Sequence, residues 1–160
     1  MTVFDPSSAN RALKDPLFPT PTFVAFTALV AALANAAEIA EMQSDPASFD
    51  PAYASLDADE AEIAAVITRA TTAAIQATPV LAVDERLSCA AVFIRSFFGI
   101  EDNSDRRHFL EQMRDCELWE PGRGSRNDQI VAQMIGLAFQ RLDRLDRALF
   151  GPDPEDIPAL

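Results

Sequence analysis

His108 is the only histidine in the chain, and Cys89 and Cys116 are the only cysteines. A zinc site usually draws several of its ligands from these two residue types. Asp105 and His108 have the i, i+3 spacing of one half of a di-iron carboxylate site, but such bundles use two of these pairs. No second histidine exists to build the other. A thiol nucleophile activated by His108 fares no better. On a single helix Cys116 would lie about 12 Å along the axis from His108, beyond hydrogen-bond reach. Cys89 sits within an apolar run and reads as a buried small hydrophobe. His108 reads as a solvent-facing or partly buried structural residue. Two isolated cysteines without a C-x-x-C make no disulfide framework, and a reducing, cytoplasmic setting is expected.

Carboxylates are far more abundant. The chain has 25 acids against 13 Lys and Arg, a formal net charge of −12 and 49% hydrophobic residues; its pI is about 4.3. An acidic surface repels phosphate backbones and anionic lipid, so neither nucleic acid nor a membrane is the expected partner. The acidity is concentrated: Glu41 to Glu62 contains seven acids and no base. Within it, Asp57, Asp59, Glu60 and Glu62 would form a surface for a basic protein partner, as in an inhibitor or immunity-type protein. The enzymatic alternative uses Glu38 and Glu41 on one helix with Asp59 and Glu60 on the next. Facing helices with paired carboxylates could hold Mg²⁺ and a nucleotide phosphate, as a magnesium-dependent all-α nucleotide hydrolase would require. The spacings form no recognisable pattern, and acids at a helix start are favoured by the helix dipole alone.

Two cationic stretches complete the candidates. Gly122 to Arg126 reads Gly-Arg-Gly-Ser-Arg, and its Arg123, Ser125 and Arg126 would make an anion site at the start of a helix. It is not a phosphate loop of the G-x-x-x-x-G-K-[ST] type, and a connector followed by a serine cap is the plainer reading. Further on, Arg141-Leu-Asp-Arg144-Leu-Asp-Arg147 alternates sign. Asp143 and Arg147 form an i, i+4 pair, and Arg144 and Arg147 could set register between subunits as coiled-coil e and g charges do.

The elements that would position these groups are helices. Asp-Pro steps at residues 5, 15, 45, 50 and 153 mark boundaries, because a residue before proline is pushed out of the helical region. Residues 1–20 read as an irregular arm. A first helix is predicted over 22–43, with Thr20 as its cap and Pro21 in its first turn. The second spans 58–78, capped by Asp57 and stopped by Pro79. The third spans 83–98, with Leu87, Ala90, Ala91, Ile94 and Phe98 as its stripe, widened by Val92, Phe93 and Phe97, and Gly99 at its end. The fourth covers 104–118. The last covers 126–150, opened by Ser125 with Asp128 in a shortened capping box. Its stripe is Ile130, Met134, Leu137, Leu142, Leu145 and Leu149, widened by Val131, Ile135, Ala138 and Phe139. Residues 151–160 read as a loose acidic tail. No hairpin turn, alternating strand pattern or internal repeat competes.

The expectation is one all-α domain, a bundle of about five helices with an N-terminal arm. Residues 23–37 are apolar, with Arg11 and Lys14 before them and small residues around 32–37, a pattern that secretory signals share. The long leading region with Asp5 and Asp15 argues instead for a buried, Ala-rich core helix. A membrane span is disfavoured by Asn35, Glu38 and Glu41. This first helix is apolar nearly all round. Either it is the bundle's central helix or a second subunit covers its far side, through Phe23, Phe26 and Val30. The sequence therefore points to a non-catalytic, self-associating protein-binding module, a homodimer, with no cofactor; the alternatives are the magnesium-dependent hydrolase and a structural subunit of a larger assembly.

Overall fold

The computed structural model describes residues 18–44, 56–120 and 124–151, the side chains of Ser44 and residues 56–60 excepted. It is an all-α bundle: α1 (Pro21–Ser44), α2 (Leu56–Gln76), α3 (Ala82–Phe98), α4 (Asn103–Arg114), a single 3₁₀ turn (Glu117–Trp119) and α5 (Arg126–Phe150). No strand occurs among the described residues. Most of the N-terminal arm, residues 45–55 and the acidic tail lie outside the described residues.

α1 is the central helix and packs most extensively against α2 and α5. Its Phe26, Leu29, Leu33 and Ala37 have no exposed surface. Thr20 caps it as expected: its hydroxyl accepts a hydrogen bond from the Phe23 N–H at 3.2 Å. The same hydroxyl donates to the Asp84 carboxylate at 2.6 Å, which ties the start of α1 to the start of α3. Midway along, Arg141 of α5 donates to the Val30 carbonyl at 2.9 Å. α1 is also long and apolar enough to cross a membrane by length and composition, although much of its surface is covered by its neighbours here.

The boundaries move where side chains need them to. α2 begins at Leu56, so Asp57 lies inside the helix rather than capping it, and α2 ends at Gln76, short of Thr78 and Pro79. Proline excludes the residue before it from helical geometry, which accounts for the early stop. α4 stops at Arg114 instead of reaching Leu118. The chain turns there so that Trp119 enters the core, between Phe93 at 5.6 Å and Phe139 at 5.6 Å. Its indole N–H donates to the Met113 carbonyl at 2.7 Å.

Helical phase also shifts two stripes. In α3 the core residue of the last turn is Phe97, 2% exposed, while Phe98 is 43% exposed. Cys89 falls on the outer side of the same helix and is exposed, because Leu87, Ala90, Ala91 and Ile94 set the inward direction. In α5 the buried line is Val131, Ile135, Ala138, Phe139, Leu142 and Leu145. Ile130, Met134 and Leu137 are half-buried and Leu149 is exposed.

Candidate functional site

Alanines shape an apolar hollow between four helices of the bundle. Ala36 and Ala40 of α1 and Ala64 of α2 contribute only methyl groups where the two helices meet α3 and α5. Space remains between them, an apolar cavity of about 320 Å³. Ile39, Ile63, Ile67 and Leu145 form its walls, and Phe98 and Leu149 stand at its exposed rim. This volume is at the lower end of the range typical of small-ligand sites.

The polar groups of the lining are few. The Thr68 hydroxyl donates to the Ala64 carbonyl at 2.9 Å, and the Thr71 hydroxyl to the Ile67 carbonyl at 2.7 Å. Their protons are thus committed within α2. Gln43 and Arg95 complete the lining, and Arg95 is its one charged residue. Arg95 lies in the last turn of α3, where the helix dipole favours a cation. It makes no ion pair or hydrogen bond among the described residues.

Of the carboxylates singled out by sequence, the side chains of Glu38, Glu41 and Glu62 are described. Glu41 receives a two-point contact from Arg144, with Arg144 Nη2 donating to Oε2 at 2.6 Å and Nε to Oε1 at 2.5 Å. Hydrogen bonding from Arg144 is the main reason its carboxyl titrates below the usual range; slight desolvation opposes the shift and Coulomb attraction adds to it. Arg144 is raised in turn, chiefly by the same hydrogen bond. Glu38 and Glu62 are exposed. The side chains of Asp57, Asp59 and Glu60 lie outside the described residues, and no group of three or more potential metal ligands forms among the described ones. His108 is exposed and its Nε2 lies 3.2 Å from Gln112 Nε2.

The suggested anion site at the start of α5 is filled by the chain itself. The Asp128 carboxylate accepts from the Ser125 N–H at 3.0 Å, and the Ser125 hydroxyl accepts from the Asp128 N–H at 3.4 Å. Gly124 permits this, since a Cβ there would lie 1.7 Å from the Asp128 carboxylate oxygen. Arg126 is exposed and Arg123 is outside the described residues.

The proposed subunit contacts divide. Phe26 and Val30 are buried within the chain, at 0% and 3% exposure, so they contact α1's own neighbours rather than a second subunit. Phe23 is half-buried and pairs with Phe18, ring centroids 4.6 Å apart. Arg144 is engaged by Glu41, and Arg147 by Asp143 at 3.3 Å. α1 nevertheless exposes Val24, Ala28, Ala31, Asn35, Glu38 and Met42, spaced alternately four and three residues apart.

Sequence reasoning missed the cavity. Its signal was there in Ala36, Ala40 and Ala64, small residues on helix faces that otherwise carry isoleucine and leucine, but which helices face each other is a tertiary fact. No protein-family model, characterised protein or solved structure matches the chain.

Proposed function

We propose that this chain is a non-catalytic binding module whose site is the apolar cavity between α1, α2, α3 and α5. The observation that carries this reading is the cavity itself: lined by four helices, open on one side, mostly apolar, with a single charged residue in its lining. Such a space suits a ligand whose apolar body leaves water. The side chains around it offer no nucleophile–base pair that would turn over what is bound. A fluorescence titration with a small apolar dye tests the reading. The native chain should bind one equivalent, and Ala64→Phe, which places a ring in the cavity wall, should abolish binding. Undiminished dye binding by Ala64→Phe would put the site elsewhere.

A second reading, self-association, is favoured by the exposed stripe of α1. Its alternating spacing is that of a two-helix seam. Two antiparallel copies centred near residue 33 would set Val24 against Met42, Ala28 against Glu38 and Ala31 against Asn35. The stripe is thus complementary to itself, as an isologous twofold contact must be, and no Glu38 faces its copy. Sedimentation equilibrium tests this: the native chain should be a dimer and Ala31→Arg a monomer. A native chain that stays monomeric at high micromolar concentration removes it.

A further inference from the structure

The cavity has a chemical asymmetry that narrows its ligand. Its body is hydrocarbon, from Ile39, Ile63, Ile67 and Leu145, and its threonine protons are spent inside α2. Its lining includes one charged residue, the exposed Arg95, one helical turn before the rim residue Phe98. Six of the ten described arginines meet a carboxylate; Arg95 meets none among the described residues, and it is the one arginine in the cavity lining. A guanidinium presents a planar fork that fits a carboxylate at two points.

We infer, resting on the reading of the cavity as a binding site, that its ligand is a free amphipathic carboxylate of the fatty-acid type. The alkyl chain lies among the isoleucines and Leu145, and the carboxylate meets Arg95 at the rim. Both halves of the ligand are then matched. The chain leaves water for an apolar wall, and the head group keeps a charged partner at the water boundary, so no charge is buried unpaired. A neutral alkyl ligand would gain only the first half. A cationic one would face Arg95 directly.

Isothermal titration of the full chain with decanoate and with decanol, both below their aggregation limits, tests the inference. Decanoate should bind one per chain and about tenfold or more tightly than decanol, the difference expected from one charge-assisted contact. Arg95→Ala should weaken decanoate to the level of decanol and leave decanol unchanged, and Arg95→Lys should retain part of the preference. Equal binding of the two ligands by the native chain overturns the inference and leaves the cavity as an apolar site. So does an Arg95→Ala chain that still prefers decanoate. Binding of neither ligand overturns both the inference and the cavity reading. Binding of both that Ala64→Phe does not reduce has the same consequence.

Discussion

Arg106 and Asp146 meet at 3.0 Å with side chains only 5% and 8% exposed, joining α4 to α5. Neither is left with unmet charge. Arg106 also donates to the Ile100 carbonyl at 3.1 Å and to Asn103 at 2.7 Å. Its guanidinium lies 3.5 Å from the centroid of the Phe150 ring. Asp146 takes a further contact from Arg107 at 3.3 Å. Asp146→Leu leaves the buried Arg106 without a carboxylate and should cost about 3–5 kcal/mol in urea denaturation, whereas Arg106→Met leaves Asp146 its contact with Arg107 and should cost less. The double variant should cost much less than the sum, because no charge is then stranded. Additive losses would mean that the two side chains do not depend on each other.

Asp84 does comparable work at the other end of the bundle. It is fully buried, and accepts from the Thr20 hydroxyl at 2.6 Å, the Val80 N–H at 2.8 Å and the Leu81 N–H at 3.0 Å. Asp84→Ala would leave buried or half-buried donors without an acceptor, at a cost of about 1–3 kcal/mol. Thr20→Val should remove the α1 cap and one of these bonds, costing about 1–2 kcal/mol. Chemical denaturation of both variants checks the order. No loss for Asp84→Ala would mean that none of the three bonds to its carboxylate contributes to stability.

Local features were legible in the sequence and tertiary ones were not. Thr20 before Pro21, and Ser125 three residues before Asp128, identify two helix starts because capping is chemistry between near neighbours. The stripe of α3 was legible except for its edge: Phe97, read as widening it, is the last core position, and Phe98, read as its centre, is exposed, a difference of helical phase that periodicity alone does not resolve. Trp119 shows a different failure. Propensity carries α4 on to Leu118, but burying the indole ends the helix at Arg114. The cavity, the Thr20–Asp84 tie and the Arg106–Asp146 pair all join distant segments. For these the sequence offers the residue types and not the partners.

Two glycines in or beside α5 should respond in opposite directions. Gly136 is mid-helix and exposed, and a Cβ there meets nothing within 4 Å. Gly136→Ala should stabilise the chain by about 0.5–1 kcal/mol, by restricting the unfolded state and favouring helix. Gly151 ends the helix at φ 82° and ψ 175°, a region that side chains of L-residues rarely adopt. Gly151→Ala should cost about 1–3 kcal/mol. Thermal unfolding monitored by circular dichroism reads both signs, and a destabilising Gly136→Ala would mean that helix propensity does not decide the effect at this position.

The Glu41–Arg144 contact makes its own prediction about pH. It joins α1 to α5 beside Ala40 and Leu145, which line the cavity. Because hydrogen bonding by Arg144 holds the Glu41 carboxyl below its ordinary range, the folded chain binds a proton there less readily than the unfolded chain does. The contact's stabilisation is therefore present above the ordinary carboxyl pKa, and it is lost as the pH falls through the lowered folded value. Glu41→Gln removes the charge at every pH. The native chain should be more stable than Glu41→Gln at neutral pH, the gap should narrow as the solution is acidified through the carboxylate range, and added salt should narrow it at neutral pH because the pair is half-exposed. Urea titrations of both chains across the acid range measure the gap directly. A gap independent of pH would mean that the charge of Glu41 contributes nothing to holding α1 against α5.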